Sequence, residues 1–352
     1  MFFRNLKFIF ILFVIFFAIV FLSYHSAIDK PAGEQGQDIS FVVAEGDGVK
    51  KISQNLLEAG LIKSKFYFEI YVWRTDQEAD FKAGSYILNP MLSAKQVIEI
   101  LTQGKTADRE KTIKIIEGWN VRDVAVYFQD QGMGQSDDFL EMVGYPKIDY
   151  RYNKNLPTPR DYVNDFDFLK DKPDYYGLEG YLFPDTYRVF QDALAEDAVL
   201  KMLANFDKKL TQEMRQDIIS QDKTIYEIVT MASIVEKEVR SVDDMKVVAG
   251  IFWDRIKNGQ PLQSCATLAY ILEENKGQYT VEDTEIDSPY NAYQNRGLTP
   301  GPICNPGLQA IEAAIYPEFT DYNYFLSRPD TGETVFSVTY DEHVANKARY
   351  LR

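Results

Sequence analysis

The residue types best suited to chemistry in this chain are carboxylates. Residues 224–256 read TIYEIVTMASIVEKEVRSVDDMKVVAGIFWDRI and set Glu236 and Glu238 into an apolar run. Thr224 reads as a helix N-cap, and Glu227 three residues on completes a capping box. Ile228, Ala232, Val235 and Val239 form one apolar stripe. At roughly 100° per residue, Glu236 falls beside Val229 and Ala232, Glu238 falls beside Met231 and Ile234, and Lys237 points to the polar side. Two carboxylates therefore flank a buried arc. Burial raises a carboxyl pKa, which a proton donor needs near neutral pH. Amphipathic helices also carry glutamates as edge residues with solvated heads, and periodicity does not choose between Glu236 and Glu238.

Other chemistries are narrowed by what is scarce. The chain holds two histidines, His25 and His343. His25 abuts the apolar N-terminus, so a Ser-His-Asp triad would rest on His343 alone, and a multi-histidine metal site is excluded. No metal or cofactor is expected. A net charge of -15 opposes nucleic-acid binding. Two cysteines, Cys265 and Cys304, exclude a disulfide-dense scaffold but allow one bridge in an oxidising compartment. With 45% hydrophobic and 14% aromatic residues, the 352-residue chain can bury a core and divide into about two or three domains.

Downstream, DSPYNAYQNRGLTPGPICNPG (287–307) is a long loop rich in Pro, Gly, Asn and Tyr. Such loops are uncommon unless functional. Asn291, Tyr293, Gln294, Asn295 and Asn305 offer groups suited to sugar hydroxyls, and Arg296 suits a substrate carboxylate. A structural Ω-loop over the core is the alternative.

The elements that must position these residues begin at a membrane. Residues 8–23, FIFILFVIFFAIVFLS, carry no charge, and Arg4 and Lys7 precede them. Extended at both ends, this run approaches the roughly 20 residues of a bilayer span. The positive flank places the N-terminus in the cytoplasm and the rest outside, as a retained single-pass anchor rather than a cleaved signal. Residues 28–38 read as a flexible linker. A gapless repeat follows: VAEGDGVKKISQNLLEAGLIKS (43–64) matches IIEGWNVRDVAVYFQDQGMGQS (115–136). Each copy reads as strand, turn, helix and a glycine stop. FYFEIYVWR continues the first copy as a second helix, and KAGSYIL closes it with a strand, as in a LysM-type module. A small α+β spacer without a ligand has the same pattern. Residues 145–175, rich in Asp, Tyr, Asn and Pro, have no readable pattern.

Several long motifs then carry a specific resemblance. MASIVEKEV (231–239), GLEGYLFPDTY (177–187), RIKNGQPLQSCATLAY (255–270), the 287–307 loop and YFLSRPDTGETVFSVTYDEH (324–343) occur in the order found in the YceG-like family, the MltG-type endolytic murein transglycosylases, which this chain resembles over nearly its whole length. The resemblance implies an α+β fold: a cytoplasmic tip and transmembrane helix (1–27), linker (28–38), LysM-like module (39–108), and a mixed α/β catalytic domain (109–352) that begins with a second LysM-like strand-helix unit. It makes the second glutamate of the triplet, Glu238, catalytic. It implies cleavage of the N-acetylmuramic acid–N-acetylglucosamine β-1,4 bond of nascent strands, leaving 1,6-anhydro ends and terminating strand elongation. The substrate-binding set expected with it is Glu179, Gln263, Ser264, Tyr290, Asn291, Tyr293, Arg296 and Asn305. Glu179 and Asp185 either support the cleft or build a turn. The expected partners are peptidoglycan glycan strands, the cytoplasmic membrane and peptidoglycan synthases (penicillin-binding proteins). Many members of the family read Q-[ST]-D-[PA]-T where this chain has Gln263-Ser264-Cys265-Ala266-Thr267, so Cys265 replaces an acidic residue. Beside that departure, Cys265 and Cys304 are expected to face each other and to bridge outside the cell. A non-enzymatic wall-binding or scaffold protein, and a hydrolase of the same bond, are the rival readings.

Overall fold

The computed structural model describes residues 13, 17–33, 37–104, 110–191, 193–276 and 278–351. They fall into two compact units, residues 1–111 with 190–192, and residues 112–189 with 193–352. The architecture is mixed α/β, with helices and, among the described residues, three two-stranded sheets.

The first unit holds helix α1 (residues 17–28), β1 (Ile39–Val43), α2 (Val49–Glu58), α3 (Lys65–Arg74), β2 (Gly84–Leu88) and α4 (Ala94–Gln103). Strands β1 and β2 pair antiparallel, Ile39 opposite Leu88 and Val43 opposite Gly84. Their inward residues Phe41, Val43, Tyr86 and Leu88 meet Ile52 and Leu56 of α2, Phe68 and Val72 of α3, and Val97, Ile98 and Leu101 of α4. Ser93 caps α4 and Gln96 completes the capping box.

Half of the expected apolar run 8–23, residues 8–12 and 14–16, lies outside the described residues. Among the described residues no helix is long and apolar enough to cross a membrane. The expected flexible linker is corrected at its start. Ile28 is 1% exposed within the core of this unit. Pro31 bridges to Ser93, and Gly33 N–H donates to Pro90 O at 2.9 Å. An apolar side chain and two backbone ties dock residues 28–33 on the module, which linker composition does not reveal.

The second repeat copy lies in the second unit. Strand β3 (Glu110–Lys114) pairs with β4 (Thr186–Phe190), and α5 (Val121–Asp130) follows β3. The copies share their turn and stop chemistry: Gly46 and Gly118 have φ of 85° and 78°, and Gly60 and Gly132 have 70° and 69°. These are left-handed positions where a Cβ is unfavourable. Helix α6 (Ser136–Val143) leads into residues 145–175, which contain one short 3₁₀ turn, Asp167–Leu169. This stretch buries Tyr150, Tyr162, Phe168 and Leu169. Phe168 stacks on Phe206 with centroids 4.8 Å apart. The stretch is therefore an irregular but packed part of the core.

Helices α7 (Ala195–Lys209), α8 (Gln212–Ser220), α9 (Ile225–Glu238), α10 (Val242–Lys257), α11 (Cys265–Leu272), α12 (Val281–Thr284) and α13 (Leu308–Ile315) follow. The hairpin of β5 (Tyr324–Ser327) and β6 (Thr334–Ser337) and then α14 (Tyr340–Tyr350) complete the chain. Helix α9 lies at the centre: every residue from Ile228 to Val235 is buried.

Candidate active site

The capping box expected at Thr224 and Glu227 starts α9. The helix ends at Glu238, because Val239 is already extended (φ -142°, ψ 158°), one residue short of the expected stripe. Glu238 thus stands on the last helical position. On the buried side, Ser233 receives the PGPIC loop: Ile303 N–H donates to Ser233 Oγ at 3.0 Å, and Cys304 Sγ donates to Ser233 O at 3.2 Å.

Glu238 meets the start of α11. Its Oε1 accepts from Ser264 Oγ and from Ala266 N–H at 3.4 Å. Ser264 is the N-cap residue of α11, but its side chain makes no capping bond. The hydroxyl is used on Glu238 instead. Burial pushes the Glu238 carboxyl up; Ser264, the Ala266 N–H and the Arg255 guanidinium pull in the opposite direction. Arg255, in the last turn of α10, is held by Leu262 O and by Asn323 O at 2.7 Å. Backbone bonds fix the approach to Ser264: Gln263 N–H donates to Ala292 O at 2.9 Å, and Pro261 bridges to Arg296. Gln263 adopts a φ of 54°, a left-handed turn that a non-glycine residue holds only under such constraint.

Glu238 lines a cleft of about 540 Å³ with Arg255, Gln263, Cys265, Tyr293, Tyr324, His343 and Lys347. It is the only carboxylate among the residues lining that cleft. A second cleft of about 700 Å³ shares Glu238, Ser327 and Pro329 with the first. Glu238 therefore sits where two open depressions meet, as a strand passing through both would require.

The structure separates the two glutamates. Glu236 Oε2 accepts from Gly307 N–H at 2.9 Å, at the start of α13. Burial raises its carboxyl too, with the Glu117 charge adding to the effect. Glu236 lines the second cleft but not the first.

Of the expected binding residues, Gln263, Ser264 and Tyr293 gather at Glu238. Others do not. Asn291 is 0% exposed: its amide donates to Thr284 O and Ile286 O at 3.0 and 2.8 Å, and its oxygen accepts from Tyr293 N–H. Asn305, also 0% exposed, accepts from Gly180 and Leu182 N–H at 3.0 and 2.9 Å and donates to Trp119 O. Gln294 and Asn295 likewise donate to loop carbonyls. These amides satisfy backbone groups that a long loop cannot pair by itself, so the Ω-loop alternative describes them. Tyr290 is 4% exposed and packs on Tyr270. Arg296 is exposed and does not line the cleft.

Glu179 lies apart from Glu238's cleft, in a cavity of about 20 Å³ with Tyr226, Tyr270 and Tyr290. It accepts from Val121 N–H at 3.0 Å and from Tyr270 OH at 3.2 Å, and burial pushes its carboxyl up to about 8. It thereby links α5 to α11, the helix whose start holds Glu238. Its neighbour Gly180 (φ 90°) is needed for close packing: a Cβ there would come 2.6 Å from Pro302 and 2.8 Å from Val229.

The expected bridge is also corrected. Both cysteines are free, Cys265 exposed and Cys304 buried. Cys304 faces the Ser233 carbonyl in the core, whereas Cys265 contacts the Tyr293 hydroxyl at 3.1 Å. Sequence reasoning missed Arg255, whose signal was a cation nine positions before Ser264 on an amphipathic helix end, and missed the wall formed by Tyr324, His343 and Lys347.

Comparison with known proteins places this arrangement. A family model described as the YceG-like family matches residues 41–349. A Bacillus subtilis (strain 168) protein named endolytic murein transglycosylase is 32% identical over 335 residues, covering 94% of this chain and 90% of that protein. A Streptococcus pneumoniae (serotype 2, strain D39) protein of the same name is 32% identical over 326 residues, 88% of this chain and 58% of the longer relative. The crystal structure of a YceG-like protein from Listeria monocytogenes superposes with a TM-score of 0.57 at 31% identity, covering 89% of this chain and all of that one. The chain belongs to the YceG-like family.

Proposed function

We propose that this protein is an endolytic peptidoglycan lytic transglycosylase and that Glu238 is its acid and base. The observation that carries the reading is that Glu238 is the one carboxylate shared by the two open clefts, and the one carboxylate among the described residues lining the first. An ordinary glycosidase needs two carboxyl groups, one of which handles water or forms a covalent bond. In a transglycosylase the muramyl 6-hydroxyl attacks its own anomeric carbon, so the nucleophile arrives within the substrate at high effective concentration. Glu238, whose carboxyl burial pushes up, gives its proton to the glycosidic oxygen as the β-1,4 bond to N-acetylglucosamine breaks. The resulting carboxylate is stabilised by Ser264, the Ala266 N–H and Arg255 while it takes the 6-hydroxyl proton. A 1,6-anhydro end remains. Cuts within nascent strands would end their elongation.

In this reading, residues 39–108 form a LysM-like module and residues 109–352 the catalytic domain. The apolar N-terminus is a single-pass anchor that keeps the catalytic domain outside the cytoplasmic membrane, beside strands released by peptidoglycan synthases. The names of the bacillar and streptococcal relatives support the reaction class. The test is mass spectrometry of purified glycan strands treated with the full chain or with Glu238→Gln of confirmed fold. Internal anhydromuramyl ends made only by the unmodified protein support the proposal. Strands left intact by both would indicate a binding or scaffold protein.

A further inference from the structure

Helix α3 is apolar on three sides, its one polar edge (Lys65 and Glu69) being turned to Gln54 and Ser53 of α2, which is unusual for a surface helix. At about 100° per residue, three stripes can be drawn. Phe68 and Val72 point into the core. Tyr67 and Arg74 form a second stripe, on the side of α1: the Tyr67 ring lies 5.7 Å from that of Tyr24, and the Arg74 guanidinium lies 5.6 Å from the same ring. Phe66, Ile70 and Trp73 form the third, opposite the core and next to the α1-facing stripe. Phe66 is 64% exposed and Trp73 is 71% exposed.

The position of this stripe indicates what covers it. The uncharged run that begins at Phe8 gives way to polar sequence just after Tyr24. The exposed apolar surface of α1, from Phe17 to Leu22, leads directly to that point. Phe66 is one ring removed from Tyr24, through Tyr67. Lys63, whose ammonium contacts Ser26 O at 3.4 Å, and Arg74 lie at the ends of the stripe in a chain of net charge -15, while Lys65 reaches Gln54 at 2.7 Å. Glu69, the acid on the helix, is turned to Ser53 at 2.6 Å. Aromatic rings with basic flanks at the end of an apolar span are the composition of a membrane–water interface.

We propose that the Phe66–Ile70–Trp73 face of α3 lies in the outer-leaflet interface of the lipid bilayer, so that the first unit is held flat on the membrane rather than tethered above it. This rests on the reading of the N-terminus as a membrane anchor and adds a second attachment to it. An interfacial rest of this kind would fix the height at which the module stands over the bilayer.

The test uses the full chain reconstituted into phosphatidylethanolamine–phosphatidylglycerol vesicles containing lipid brominated near the headgroup, with Trp73→Phe alongside. Trp119 and Trp253 supply a background common to both proteins. Flotation with the vesicles establishes the anchor. The proposal predicts that bromolipid quenches the wild-type emission and that Trp73→Phe removes most of that quenching. Equal quenching in the two floating proteins overturns the interfacial face and leaves the anchor standing. A Trp73 signal that follows protein density instead of bromolipid content assigns the face to a second copy and also overturns it. Failure to float overturns the anchor and the face together.

Discussion

Replacing Ser264 with alanine removes the hydroxyl that donates to Glu238 while leaving helix capping intact, because Ser264 does not cap α11. A hydrogen bond to a charged group contributes about 1.5–3 kcal/mol, and about 1.4 kcal/mol corresponds to one pH unit in an ionisation. The bond favours the carboxylate, so its loss makes Glu238 hold its proton more tightly. Glu238 must be protonated when the glycosidic bond breaks, so kcat/KM falls on the alkaline side as it ionises. Ser264→Ala therefore extends that limb upward by about one to two pH units. The plateau should fall about tenfold, as one orienting contact is lost. The assay is the rate of anhydro-end release across pH for the unmodified protein, Ser264→Ala and Ser264→Thr, which keeps a hydroxyl. Ser264→Thr should restore the limb. A slower Ser264→Ala enzyme with an unmoved limb would place the hydroxyl on substrate and refute the coupling to Glu238.

Three further outcomes follow from the site. The Glu179 carboxyl, raised from 4.5 to about 8, keeps in the fold a proton that the unfolded chain releases; stability should fall as pH rises between these values, by at most about 1.4 kcal/mol per pH unit, and Glu179→Gln should flatten urea midpoints measured over that range. Parallel pH profiles for the two proteins would contradict this role. Asn305→Ala leaves the Gly180 and Leu182 N–H groups without their acceptor, so it should lower unfolding free energy by about 2–5 kcal/mol without raising KM; a raised KM at unchanged stability would restore the substrate-binding assignment. Alkylation of the native protein should label Cys265 only, with Cys304 reacting after unfolding; a peptide pair joined through both cysteines would disprove the free thiols.

Local rules carried much of the fold. The repeat was legible because strand, left-handed glycine turn, helix and glycine stop each leave a mark, as at Gly46, Gly60, Gly118 and Gly132. The capping box at Thr224 fixed the start of α9 in the same way. Periodicity placed Glu236 and Glu238 on a buried helix but gave no partners. Only the tertiary pairing of Glu236 with Gly307 and of Glu238 with Ser264 separates them. Asn291 and Asn305 were misread because composition counts amides without saying which way they point. Residues 28–33 resembled a linker because the docking of Ile28 depends on a core formed by distant residues. Residues 145–175 pack through single aromatic side chains with no period to read.

The central claim is that one carboxylate, Glu238, cleaves the strand with the substrate's own hydroxyl as nucleophile. Digestion of glycan strands in ¹⁸O-labelled water tests it most directly. The account predicts new muramyl ends that carry no ¹⁸O and have the anhydro mass, formed by the unmodified protein and lost in Glu238→Gln. Reducing ends bearing one ¹⁸O would mean that water is the nucleophile, and would contradict it.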